Sequence, residues 1–149
     1  MAIQHLLLVV FMASILHATS SATTNSTLAV ATAYDALVQN NLPRGLLPQG
    51  VLSYSLIEGA LDVALPYVCD VSISVAGTEY KFRYSRSVGG AIQSESITQV
   101  YGVRVQVDQA WVGLSQVQRA GKHVDLQLET ARVSLPVRSL ARSPECTQI

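Results

Sequence analysis

The chain has 149 residues, 49% of them hydrophobic and 13% charged, with ten acidic and ten basic side chains and a formal net charge of zero. That balance describes one core-forming globular domain and excludes a disordered chain. It also excludes a domain that reads nucleic-acid backbones, which needs a basic excess.

The first charged side chain is Asp35. Ahead of it, "MAIQHLLLVVFMASILHATSSA" carries an apolar run from Leu6 to Leu16, broken only by Ser14. Such a run matches a signal-peptide core and falls short of the ~20 residues of a membrane-spanning helix. Ala18-Thr19-Ser20 and Ser20-Ser21-Ala22 both fit the small-x-small pattern for cleavage. Residues 1–22 are therefore expected to be a cleaved secretory signal, although His5 and the α-amino group stand in for the usual Lys or Arg. The competing readings are an uncleaved anchor and a short buried helix. Residues 23–31 form a polar N-terminal segment in which Asn25-Ser26-Thr27 is an N-glycosylation sequon. The expected location is secreted and extracellular. The remaining residues, 32–149, read as a single domain.

That domain holds two cysteines, Cys69 and Cys146. An even, isolated pair in an oxidising compartment predicts one disulfide, closing a long loop.

"ATAYDALVQNN" predicts a short helix of about two turns. Thr32 is its N-cap, Asp35 sits in the first turn where its charge suits the helix dipole, and Ala33, Ala36 and Leu37 share a face. Then comes "NLPRGLLPQGV", with Leu-Pro-Arg-Gly followed closely by Leu-Pro-Gln-Gly. Each places Pro second and Gly fourth in a four-residue turn. Leu46 and Leu47 between them point to a hydrophobically pinned elbow. Arg44 is the one residue here that a turn does not require.

From Val51 the apolar period becomes two. "YSLIEGALDVALP" predicts a hairpin turning at Glu58-Gly59, and "VSISV" and "YKFRYS" a second one turning at Ala76-Gly77-Thr78. On the latter strand Tyr80, Phe82 and Tyr84 share one face, and Lys81 and Arg83 the other. "VGGAIQSESITQVYG" has irregular apolar spacing. "VRVQVDQAWVGLSQVQ" alternates and sets Trp111 in phase with Val103, Val105 and Val107. "VDLQLET" follows a turn at Ala120-Gly121-Lys122, and "ARVSLPVRSL" completes the set. About seven to nine strands with regular turns predict an all-β, mainly antiparallel barrel or roll with one short N-terminal helix.

"YDALVQNNLPRGLLPQGV" resembles the opening signature of a plant family, domain of unknown function 538 (DUF538). "LPYVCDV", "KFRYSRSVGGAI" followed by "ITQVYGVRVQ", "WVGLSQV" and "LPVRSLARSPEC" resemble its later segments in order, from Tyr34 to Cys146. The chain departs from that pattern at Glu129, where Gly is frequent, and at Leu135 and Leu140, where aromatic residues are common. The resemblance implies a compact β-barrel-like fold behind a signal peptide, placed in the apoplast or another secretory compartment. It also implies a likeness to lipopolysaccharide-binding proteins and hydrophobic ligands such as lipids or chlorophyll-type pigments.

The residues themselves name no catalytic machinery. No Gly-x-Ser-x-Gly elbow occurs, and His123 is the only histidine beyond the presumed signal. His123 and Asp125 do not make a zinc site, and Gly89-Gly90 lacks the Lys-Ser/Thr of a phosphate loop. No catalytic residue, metal or cofactor is assigned, and an enzyme is the less favoured reading. Binding is favoured. Tyr80, Phe82, Tyr84 and Trp111 are the candidate lining of an apolar pocket for a small hydrophobic ligand or membrane lipid. Arg44, Lys81, Arg83, Arg86 and Arg104 are candidate contacts for anionic headgroups or acidic polysaccharide. The alternatives are an extracellular interaction module with a closed core and a hydrolase of unrecognised type. An open interior of several hundred Å³ would favour the first reading, and a filled one the second.

Overall fold

The computed structural model describes residues 32–149. The expected signal peptide and the glycosylation at Asn25 lie outside the described residues.

Helix α1 spans Ala33–Gln39. Its start is set chemically: the Thr32 hydroxyl accepts from the Asp35 N–H at 3.1 Å, and the Asp35 carboxylate accepts from the Thr32 N–H at 3.0 Å. This reciprocal capping box satisfies donors that the first turn leaves free. Ala33, Ala36 and Leu37 are buried against the sheet.

The chain then enters the elbow. The first Pro-x-Gly corner is a 3₁₀ turn at Arg44–Leu46, set one residue later than the sequence spacing predicts, with the Leu46 N–H donating to the Pro43 carbonyl at 3.3 Å. The two glycines serve different needs. Gly45 has ordinary φ but lies against the chain at Leu140, where a Cβ would meet backbone carbons at 2.7 Å. Gly50 adopts φ +90°, the left-handed region that disfavours other residues.

Nine strands follow: β1 (Ser53–Ile57), β2 (Ala60–Ala64), β3 (Cys69–Val75), β4 (Thr78–Gln93), β5 (Ser96–Val107), β6 (Ala110–Ala120), β7 (His123–Leu128), β8 (Arg132–Pro136) and β9 (Thr147–Gln148). They form an antiparallel meander ordered β1-β2-β4-β5-β6-β7-β8, with β3 also on β4 and β9 on β3. β2 and β3 run end to end along the same edge of β4: Ala64 faces Ser87 and Cys69 faces Tyr84. Pro66 lies in the break between them, where its missing N–H costs no ladder bond. No hydrogen bonds join β1 to β8, so the sheet is open, a correction to the barrel closure expected above.

The hairpins turn where left-handed backbone is found. Glu58-Gly59 (φ 50° and 84°) and Ala76-Gly77 (φ 49° and 84°) have two consecutive positive φ values, as type I′ turns require. Asp108-Gln109 does the same, with φ 48° and 71°. This turn splits the run "VRVQVDQAWVGLSQVQ" into β5 and β6; no glycine marks it, and alternation lapses only at Asp108-Gln109 and Ala110-Trp111-Val112. The irregular stretch around Gly89 proves to be continuous strand whose register against β5 shifts between Tyr84 and Gly89 and again before Ala91. Such bulges sharpen the bend of a sheet.

The sheet's inner face supplies the core, with Val105, Val124, Leu126 and Leu135 fully enclosed. Leu135 and Leu140, the two departures from aromatic positions, remain core residues. α1 and the elbow cover this face through Leu37, Leu42 and Leu47. Cys69 and Cys146 are joined, with Cα atoms 5.4 Å apart and a sequence separation of 77. The bridge brings the C-terminal tail under the elbow. There the Pro144 carbonyl accepts from the Gln49 N–H at 2.9 Å, and the Ser143 hydroxyl donates to the Arg44 carbonyl at 3.0 Å.

Candidate functional site

The four aromatic residues expected to line one pocket divide between two faces. Phe82 and Tyr84 point inward and are buried. Tyr80 shares their parity and packs half-buried at the rim of the core. Trp111 does not join them. The Asp108-Gln109 turn sets Trp111 opposite Gln106 and Val112 opposite Val105. Directly opposed residues share a face. Val105 is inward, so Gln106 and Trp111 lie outside.

Between the elbow and the sheet lies an apolar cavity of about 50 Å³, bounded by Leu37, Leu46 and Leu47 above and by Phe82, Tyr84 and Val103 among others below. Small-molecule sites usually measure several hundred Å³. This one has room for a few heavy atoms. The Tyr84 hydroxyl, at its edge, donates to the Leu46 carbonyl at 2.8 Å and so ties β4 to the elbow. Burial pushes the Tyr84 phenol well above its ordinary pKa.

That shift has a readable consequence. A phenol with a higher pKa in the folded than in the unfolded state holds its proton more tightly when folded. Its contribution is intact below about pH 10 and falls as pH rises beyond that, by about 1.4 kcal/mol per unit until the folded pKa is reached. Tyr84→Phe is expected to lower stability at neutral pH by about 1–3 kcal/mol, because a carbonyl at the elbow loses its donor. The same variant should show a flatter decline above pH 10 by roughly one proton. Urea titrations at neutral and alkaline pH check both. An alkaline slope identical to the parent's would show that the phenol is not enclosed.

On the outer face, Arg83 makes a two-pronged ion pair with Asp70, Nε–Oδ1 at 2.8 Å and Nη2–Oδ2 at 2.9 Å. Its guanidinium carbon stands 4.2 Å from the centroid of the Trp111 ring. The Asp70 hydrogen bond raises the Arg83 pKa further above its ordinary value. Arg83 is thus fixed and neutralised. Arg104 faces it across the β4–β5 ladder, and Lys81 lies two residues along β4; both are exposed. Arg86 is not part of this row. It sits, exposed, in the bulged stretch of β4 after Tyr84. Arg44 lies on the elbow, 3.5 Å from Asp35. The five basic residues therefore do not form one patch.

The sequence reading missed a second outer-face cluster beside the bulge. There the Tyr101 hydroxyl donates to the Asp62 carboxylate. Burial, then the hydrogen bond and charge of Asp62, raise the Tyr101 pKa, with an opposing contribution from Ser87. The bulge places Tyr101 opposite Gly89, where a Cβ would lie 2.7 Å from the Tyr101 hydroxyl. Irregular apolar spacing was the only sequence trace of this arrangement.

Among the described residues, no group of three or more His, Cys, Asp and Glu gathers as a metal site, and no helix is long and apolar enough to cross a membrane. A family model described as "Protein of unknown function, DUF538" matches residues 33–141, from the start of α1 to just beyond the second 3₁₀ turn, Val137–Leu140. The chain matches no curated protein and no solved structure.

Proposed function

The chain belongs to the DUF538 family, of unknown function, and from that premise we propose that it is a secreted, extracellular binding module that recognises its partner on the outer surface of the sheet. The observation that carries this reading is the interior. The cavity of about 50 Å³ beneath the elbow is far below what a lipid tail or pigment needs. The inner face then serves as structural core, and outward-facing polar groups are left for recognition. The disulfide is consistent with the secretory route, where such bonds persist.

A second reading has one observation in its favour. The cavity is bounded almost wholly by apolar side chains, and its roof is the elbow. A small apolar group could lodge there if the elbow lifted. The Tyr84–Leu46 and Gln49–Pro144 hydrogen bonds oppose such lifting.

Native mass spectrometry of the protein secreted from a eukaryotic host separates the two. The outer-surface reading expects a mass equal to the polypeptide processed near Ser20 or Ala22, with or without a glycan at Asn25, and no non-covalent companion. A stoichiometric lipid or pigment would overturn it in favour of the second reading. Intact Met1 on the recovered protein would contradict the secretory assignment.

A further inference from the structure

The β6–β7 hairpin meets the second 3₁₀ turn in a groove of about 400 Å³, lined by Arg119, Lys122, His123, Pro136, Val137 and Arg138. That volume falls within the usual range of small-molecule sites. The topology assembles the groove from separate stretches. Ala120 pairs with His123 across the Gly121-Lys122 turn, and His123 faces Pro136 in the β7–β8 ladder. The Val137 N–H donates to the Lys122 carbonyl at 2.8 Å, which seats the 3₁₀ turn against the hairpin tip.

The lining is cationic and contains no carboxylate. Among the described residues, carboxylates form ion pairs only with Arg44 and Arg83, so Arg119, Lys122 and Arg138 form none. Arg119 is held in place by neutral acceptors. Its Nε donates to the Gly121 carbonyl at 2.9 Å, and its Nη1 donates to the backbone and side-chain oxygens of Asn41, each at 3.2 Å. Glu95, the nearby acid in this network, is engaged by the Asn41 amide at 2.7 Å. One guanidinium edge, Nη2, is left without a hydrogen bond among the described residues. A charged donor already fixed in place loses little entropy on binding, and a concave wall concentrates its field. Pro136 and Val137 add an apolar surface on which the C–H face of a ligand can rest.

We infer that this groove binds a small molecule or chain end bearing a carboxylate or phosphate group. Arg119 supplies the fixed contact, and the exposed Lys122 and Arg138 close on the anion. Arg119 lies opposite the enclosed Val124, so the groove opens at the hairpin end of the sheet's covered face, and the inference goes beyond the outer-surface reading.

The test is calorimetric titration of the purified protein at low ionic strength with three probes: inorganic phosphate, a uronic-acid trisaccharide and its neutral hexose counterpart. At least one anion is expected to bind saturably and the neutral sugar not to bind; which anion saturates identifies the source of the charge. The double variant Lys122→Gln, Arg138→Gln alters two exposed side chains that make no hydrogen bond among the described residues. It is expected to keep the parent's melting temperature and to lose affinity by roughly tenfold or more. Failure of both anions to saturate, equal binding of the neutral sugar, or undiminished affinity in the double variant would each overturn the inference. Such a result would remove this groove and leave the outer-surface reading intact, since that reading is tested separately by the co-purification of an apolar ligand.

Discussion

Replacing Cys69 and Cys146 together with alanine is expected to remove about 4–5 kcal/mol of stability, the chain-entropy value for opening a loop of this length. The bridge spans 77 residues, from the start of β3 to the C-terminal tail. Small domains have a total stability of about 5–15 kcal/mol, so this is a large fraction of the whole. The melting temperature should fall by roughly 15 °C or more. The loss should also spread in a defined direction. Without the bridge the tail is held by β9, which pairs only Thr147 and Gln148 with β3. Ser143 and Pro144, which hold Arg44 and Gln49 of the elbow, would loosen with it. Faster hydrogen exchange at the Gln49 amide in the variant, with Val105 and Leu126 amides still protected, is the expected pattern. A double-alanine variant that melts within a few degrees of the parent would show that the tail is held by its other contacts alone.

Phe82→Ala is expected to cost about 3–5 kcal/mol, the range for truncating a buried aromatic ring in a core that cannot collapse around the gap. Phe82 is 4% exposed and borders the cavity under the elbow, so truncation enlarges a space that already exists. Trp111→Ala provides the contrast. Its ring lies on the outer face, half-buried against Arg83, and the stacking there is worth about 0.5–1 kcal/mol. Urea denaturation of both variants should give a midpoint shift for Phe82 several times that for Trp111. Equal and large losses would place both rings in one core, as strand parity alone suggests, and would refute the Asp108-Gln109 turn.

That pair of substitutions marks where the chain could be read and where it could not. The α1 boundaries follow from local chemistry, since Thr32 and Asp35 cap each other across one turn. The glycine-bearing hairpin turns at Glu58-Gly59 and Ala76-Gly77 are likewise local. The inward set Phe82 and Tyr84 needs only a period of two. Asp108-Gln109 carries no glycine to mark a turn, and only the adjacent polar pair followed by the apolar run Ala110-Trp111-Val112 interrupts the alternation there, so extending the phase of Val103, Val105 and Val107 to Trp111 crosses a turn. Arg86 was grouped with Lys81 and Arg83 by nearness in sequence alone: its parity is that of Phe82 and Tyr84, and it is exposed because it falls in the stretch where the β4 register slips against β5. The basic groove left no trace in spacing, because Arg119, Lys122 and Arg138 meet only when the hairpin folds back onto the second 3₁₀ turn.

By itself, then, the sequence determined the all-β class, the short helix that opens the described residues, the family and the cysteine pair able to bridge. These depend on short-range periodicity, capping and turn chemistry, or on residue identities in order. Only the tertiary structure decided that the sheet stays open, that the interior is nearly filled, and that Trp111 lies outside. It alone brought three cations without ion-pair partners among the described residues together in one groove. Closure, cavity volume and charge pairing are sums over contacts between residues far apart in the chain, and no local pattern encodes them.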